Sequence, residues 1–240
     1  MKRLLILAAA LFAPLALASQ DGPDWAGFGR YAAANAALQK APSVVFMGDS
    51  ITDQWDDADP EFFAANGYAC RGIGGQVTGQ MLCRFRADAI DLHPRAVVIL
   101  GGTNDIARND GYAPLERIAD HIVSMAELAR ANGIEPILCT ILPAGSYPWR
   151  PEIEDVPARI AAVNARLREY AGTRGIEWVD CHTPLAASDG SMRAEYTTDG
   201  VHLNAEGYAL LERTIAPVLA EYAAQLRPET RLRSGTIASL

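Results

Sequence analysis

The chain has 240 residues, 29 acidic against 21 basic side chains, a formal charge of −8 and a half-hydrophobic composition. That length and apolar content suit one compact domain with a sizeable buried core and argue against disorder. The acidic balance, with neither sign gathered into a long block, speaks against a nucleic-acid partner. Four scattered cysteines, Cys70, Cys83, Cys139 and Cys181, fit neither a disulfide-stapled miniprotein nor a zinc site with paired ligand spacing.

In chain order, Lys2 and Arg3 precede an apolar stretch from Leu4 to Leu17 that ends in Ala16-Leu17-Ala18 before Ser19. This is the pattern of a secretory signal peptide, residues 1–18, and it is shorter than the roughly 20 apolar residues that span a bilayer. Cleavage after Ala18 leaves a single domain, 19–240, with 19 basic and 29 acidic side chains and a charge of −10. The expected product is periplasmic or extracellular, with no stable membrane insertion once the signal is removed.

A helix from about residue 24 to 39 then leads into five short strand-like runs, at 43–47, 68–71, 96–100, 134–141 and 176–180. Helical patterns at 77–90, 115–132, 156–171 and 206–226 separate or follow them. The tail after about 227 reads as peripheral. Such alternation predicts right-handed crossovers and a parallel sheet covered by helices on both faces. Near-continuous Val, Ile and Leu in the runs agrees with strands buried on both sides. Cys139 and Cys181 each lie six residues beyond a Gly-Ile-Glu start, at 133–135 and 175–177, so they are expected at one level on neighbouring strands, where two buried thiols are preferred over the alternative of a disulfide.

Ligands of such sheets sit beyond the carboxyl ends of the strands. Four chemistry-bearing segments fall on that rim: Gly48-Asp49-Ser50, Gly74-Gly75, Gly102-Thr103-Asn104-Asp105 and Asp199-Gly200-Val201-His202. A serine in the turn between strand and helix can attack, and an aspartate three residues before a histidine can fix the imidazole tautomer. The glycines and Asn104 offer donors for an oxyanion. Each segment also has a plainer reading: a helix cap for Asp49-Ser50, a loop or phosphate cradle for the glycines, a turn for Asn104, and a cap for Asp199 and His202.

Among the other histidines, His93 falls on the opposite rim, His121 lies within a helix at a boundary position, and His182 is the rival base, on the correct rim after Asp180. His202 is preferred because Asp199 supplies an orienting carboxylate. The Pro-rich loop 142–157 follows the fourth strand on the same rim, and its Trp149 and Arg150 are expected on the leaving-group side of a substrate, unless the loop is an ordinary surface turn. Asp56, Asp57 and Asp59 read as a solvated acidic loop, since they lack the ligand order of an EF-hand. No metal or cofactor is called for.

Together the four segments resemble the motif blocks of the SGNH hydrolases, also called GDSL esterases and lipases, across nearly all of the mature chain. The wording Arg71-Gly72-Ile73-Gly74-Gly75-Gln76, with Leu142-Pro143 and Asp199-Gly200-Val201-His202-Leu203, is similar to the branch containing the catalytic subunits of platelet-activating factor acetylhydrolase type I. The resemblance implies a flavodoxin-like three-layer α/β/α sandwich with a five-stranded parallel sheet. It also implies Ser50 as nucleophile, His202 as base, Asp199 as its partner, and an oxyanion hole from the N–H groups of Ser50 and Gly75 and the Asn104 side chain. One departure is Cys70, where many members carry asparagine. Three functions follow in order of preference. The first is an esterase forming an acyl-enzyme on a carbohydrate, short-chain or lysophospholipid ester, the second a thioesterase on the same residues, and the third a noncatalytic binding protein.

Overall fold

The computed structural model describes residues 24–222. The expected signal peptide, the end of the last predicted helix beyond 222 and the peripheral tail lie outside the described residues. Five strands, β1 (Val44–Gly48), β2 (Tyr68–Gly72), β3 (Ala96–Leu100), β4 (Glu135–Cys139) and β5 (Glu177–Val179), pair in parallel in the order β2-β1-β3-β4-β5. Helices α1 (Ala32–Ala37), α2 (Ser50–Ala58), α3 (Pro60–Asn66), α4 (Thr78–Asp88), α5 (Thr103–Ile106), α6 (Leu115–Ala131), α7 (Val156–Arg174) and α8 (Ala205–Leu219) complete the α/β fold.

Alternation along each strand builds the two core layers, because successive side chains leave opposite faces of a sheet. Val45, Met47, Val97 and Ile99 pack with Met81 and Phe85 of α4, Ile118 and Ile122 of α6 and Ile160 and Val163 of α7. Val44, Phe46, Val98 and Ile137 face the other way, onto Ile51 and Trp55 of α2, Phe63 of α3 and Tyr208, Leu211 and Ile215 of α8. On that second face Phe46 meets Trp55 and Phe63 edge-on, with centroids 5.4 and 5.2 Å away, and Trp55 stacks on Phe62 at 5.2 Å. Such pairs add to area burial because ring edges and faces carry opposite partial charge.

The register sets Gly48 level with Gly72 on one side and Leu100 on the other, so three strands end on one rim. Both glycines are there for space. A Cβ on Gly48 would collide with Thr52 and the Leu100 carbonyl, and one on Gly72 with the Thr52–Asp53 backbone. Their absence of side chain lets the first turn of α2, which starts at Ser50, settle against the strand ends. Charged Arg84 of α4 is buried beneath this corner. It donates to Gln76 Oε1 at 2.7 Å, to the carbonyls of Gly48 and Arg71 at 2.9 Å each, and to Asp88 at 3.1 Å.

Several expectations are corrected. The N-terminal helix is six residues long, not about sixteen. Asp56 and Asp57 end α2, and Asp59 joins α2 to α3, its carboxylate accepting from Phe62 N–H at 2.9 Å, so this stretch is helical and not an acidic loop. The cysteines are not level: Cys139 pairs with Val179, and Cys181 lies two residues beyond. Both are buried free thiols, and the neighbouring Cys139 together with burial holds the Cys181 pKa well above the ordinary thiol value. Cys70 points its thiol at the Thr52 carbonyl at 3.1 Å, and burial raises its pKa to about 12.

Candidate active site

Ser50 opens α2 immediately after β1, with Asp49 as the capping residue whose Oδ1 accepts from Ile51 N–H at 3.0 Å. Its Oγ lies 3.1 Å from His202 Nε2, across 152 residues of sequence. His202 Nδ1 lies 2.7 Å from Asp199 Oδ2. Asp199 Oδ1 accepts from the backbone N–H groups of His202 at 2.8 Å and Val201 at 2.9 Å, so the carboxylate is held by the turn that carries the histidine. Burial works to raise the Asp199 pKa, but the hydrogen bonds from His202 and Val201 outweigh it and hold the group below the ordinary carboxylate range. An ionised carboxylate only accepts, which assigns the proton of neutral His202 to Nδ1 and leaves a lone pair on Nε2 facing Ser50.

The loop after β2 passes beside the same serine, and the loop after β3 is tied to that loop. Gly74 N–H donates to Asp53 Oδ2 at 3.1 Å, and a Cβ at Gly74 would stand 4.0 Å from that of Ser50. Gly75 has φ of 78°, a left-handed conformation that a side chain disfavours. The N–H groups of Ser50 and Gly75 donate to no protein group among the described residues. Asn104 is buried and ties the loops together, its Nδ2 donating to the Gln76 carbonyl at 3.0 Å, which occupies one of its two amide hydrogens. One amide hydrogen of Asn104 is thus left without a protein partner among the described residues.

The neighbouring carboxyls have separate duties. Asp105 accepts from Thr78 N–H at 2.8 Å and Thr78 Oγ1 at 2.6 Å, fastening α5 to the start of α4, and burial pushes its pKa to about 6. Asp49 is fully buried with Oδ2 unpartnered, and burial pushes its pKa to about 7.

Of the two loop residues expected near a substrate, Trp149 lies beside the site, its ring centroid 6.1 Å from that of His202. Arg150 turns to the Arg108 carbonyl at 2.8 Å and to Glu152 at 3.5 Å. His182 lies in a separate cleft of about 750 Å³ with Trp178 and Arg168, away from Ser50. His121 contacts Thr78 Oγ1 at 2.9 Å, and His93 caps a short turn in a left-handed conformation. A cleft of about 890 Å³ around Lys40 and His93 also excludes Ser50, so chemistry and not volume locates the site. No group of three or more His, Cys, Asp or Glu positioned to hold a metal is found among the described residues. Gln76, Arg84 and Asn109 are parts of the site's framework that sequence reasoning missed. Arg84 and Asp88 did carry one signal, opposite charges four residues apart on a helix.

The model of the GDSL-like Lipase/Acylhydrolase family matches residues 46–210, a span that holds Ser50, Gly75, Asn104, Asp199 and His202. The chain belongs to that family. As a GDSL acylhydrolase it is an ester hydrolase, and its relatives agree. It is 47% identical to a protein of Bacteroides fragilis solved as a candidate acylhydrolase, with a TM-score of 0.81 over 83% of this chain and 99% of that one. A GDSL-like lipase from Bacteroides thetaiotaomicron is 43% identical, with a TM-score of 0.80 over 82% and 99%. Over 192 residues, 78% of this chain and 79% of the relative, it is 28% identical to platelet-activating factor acetylhydrolase IB subunit alpha1 of Pongo abelii.

Proposed function

We propose that this GDSL acylhydrolase is an exported serine esterase that works through an acyl-enzyme. The observation that carries the reading is the unbroken line from Ser50 Oγ to His202 Nε2 at 3.1 Å and from His202 Nδ1 to Asp199 at 2.7 Å. His202 Nε2 takes the Ser50 proton as Oγ bonds to the ester carbonyl carbon, and the carbonyl oxygen becomes an oxyanion. The N–H groups of Ser50 and Gly75 and the second amide hydrogen of Asn104 receive that charge. Collapse breaks the bond to the alcohol, which leaves with the proton from His202. Water, deprotonated by the same imidazole, then attacks the acyl-enzyme and releases the acid with Ser50 restored. The charge on Asp199 stabilises the imidazolium that each half-reaction passes through.

The substrate proposed is a short-chain ester, acetyl foremost, with its leaving group against the exposed Trp149 ring. The acetylhydrolase relative and the place of Trp149 beside His202 support this reading. Export rests on the basic and apolar pattern of residues 1–18. A hydrolysis panel pairing oxygen and thiol esters of two to twelve acyl carbons tests the substrate. Acetyl and propionyl oxygen esters should give the highest kcat/KM. A clear preference for thioesters or long chains would contradict the proposal.

A further inference from the structure

Asparagine is an ambiguous oxyanion donor, because its oxygen and nitrogen ends are nearly the same size and a half-turn about the last torsion exchanges them. Something must hold the nitrogen end of Asn104 toward the reacting oxygen. Gln76 performs half of that task, since its carbonyl accepts from Asn104 Nδ2. The oxygen end is held by a residue outside the four motif segments: Asn109 Nδ2 donates to Asn104 Oδ1 at 2.7 Å, while Asn109 N–H donates to the Asn104 carbonyl at 3.0 Å. Asn109 in turn is oriented by the indole of Trp149, whose Nε1 donates to Asn109 Oδ1 at 2.9 Å. The turn that presents Asn109 passes through Arg108 in a left-handed conformation, φ 55°, and Arg150 clamps the Arg108 carbonyl. Each amide in this chain has its orientation fixed by a group that can only donate or only accept, the indole N–H at one end and the Gln76 carbonyl at the other.

We propose that Asn109 is a positioning residue for the ester hydrolysis, holding the Asn104 amide so that its free N–H meets the oxyanion, with Trp149 locking Asn109 from the loop beside His202. The inference rests on Asn104 being an oxyanion donor, as proposed above. It gives the 142–157 loop a part in transition-state stabilisation as well as in lining the leaving-group side. Arg150 belongs to the same support, acting through the Arg108 turn.

The discriminating variant is Asn109→Asp, which keeps shape and the acceptor for Trp149 but replaces the donor to Asn104 Oδ1 with a second acceptor. That juxtaposes two oxygens and drives the Asn104 amide to turn or withdraw. Steady-state hydrolysis of p-nitrophenyl acetate by Asn109→Asp should show kcat lowered about 100-fold with KM within about 2-fold, since oxyanion contacts strengthen only in the transition state. Asn104→Ala should lose about as much, and the double variant should lose no more than Asn104→Ala alone, because Asn109 acts through Asn104. Trp149→Phe, which keeps a ring beside His202 but removes the N–H, should lower kcat about 5-fold. An Asn109→Asp enzyme with full kcat beside an impaired Asn104→Ala, or losses that multiply in the double variant, would overturn the positioning role. Unchanged kcat in Trp149→Phe would remove Trp149 from it. Full kcat in Asn104→Ala would instead overturn the oxyanion assignment and this inference with it. The thermal midpoints of all four variants separate these effects from loss of fold.

Discussion

Asp199 divides its two oxygens between two tasks, one toward His202 Nδ1 and one toward the backbone N–H groups of Val201 and His202. The second bond set prevents the carboxylate from rotating away from the first. Asp199→Asn keeps the shape but can satisfy both sets only with the wrong imidazole tautomer, so kcat should fall about 10³- to 10⁴-fold with the thermal midpoint nearly unchanged. Steady-state kinetics alongside calorimetry checks this, and a loss under tenfold would contradict the role. Asp49 makes a different prediction. In the unfolded chain it ionises near 3.8, while in the fold burial delays ionisation to about 7. Between those values the folded state retains a proton that the unfolded state has released, so stability falls as pH rises from about 4 to 7. Asp49→Asn cannot ionise, and its thermal midpoint relative to the parent should therefore climb across that window. A difference that stays flat from pH 4 to 8 would contradict the assignment. Asp105, raised to about 6, slopes the same way but is common to both proteins.

At the scale of elements, the site depends on α2 and the loops after β2 and β3 arriving together, and α4 arranges this through Arg84. Its guanidinium is buried and satisfies the Gly48 and Arg71 carbonyls, the Gln76 side chain and Asp88 at once. Removing one member of a buried ion pair leaves the other charge without compensation, which costs about 3–5 kcal/mol. Arg84→Leu should lose that much stability in urea unfolding, and its kcat should fall as well, because the Gln76 carbonyl positions Asn104. A variant as stable as the parent would show that the network is ornamental. Element boundaries also explain what could be read beforehand. β2, β3, α6 and the start of α7 fall within a few residues of their expected limits because their apolar periodicity is strong. The extent of helix α2, expected only as the helix following Ser50, was hidden because its run of Ser, Thr, Asp and Gln carries only Ile51 and Trp55 for the core, and α5 is four residues long. Helix α1 buries no residue, so the helix-forming alanines of that region extend only as far as local propensity sustains them.

Over the whole molecule, the strand order reverses direction between β1 and β3, and Ser50 and Asn104 follow those two strands. Such a switch point leaves a crevice at the carboxyl ends of the strands, which is why one parallel sheet can bring groups from four distant segments to one place. The parallel fold and the meeting of Ser50, His202 and Asp199 were legible because each is carried by a local pattern of residues in a loop beyond a strand end. Asn109, Gln76 and Arg84 were not. Their importance lies in contacts that exist only after folding: the spacing of Arg84 and Asp88 marks an ion pair on a helix but not a buried hub, and Asn109 and Gln76 carry no comparable signal. Loop 142–157 was read as lying on the active rim, but only coordinates reveal that Trp149 reaches Asn109 while Arg150 turns aside to Arg108.

The central claim is that this assembled rim makes one hydroxyl nucleophilic. A fluorophosphonate probe followed by intact mass and peptide mapping tests it most directly. The account predicts one phosphonyl adduct, located on Ser50, absent in Ser50→Ala and strongly slowed in His202→Ala. An adduct on another residue, or labelling of Ser50→Ala at the parental rate, would contradict it.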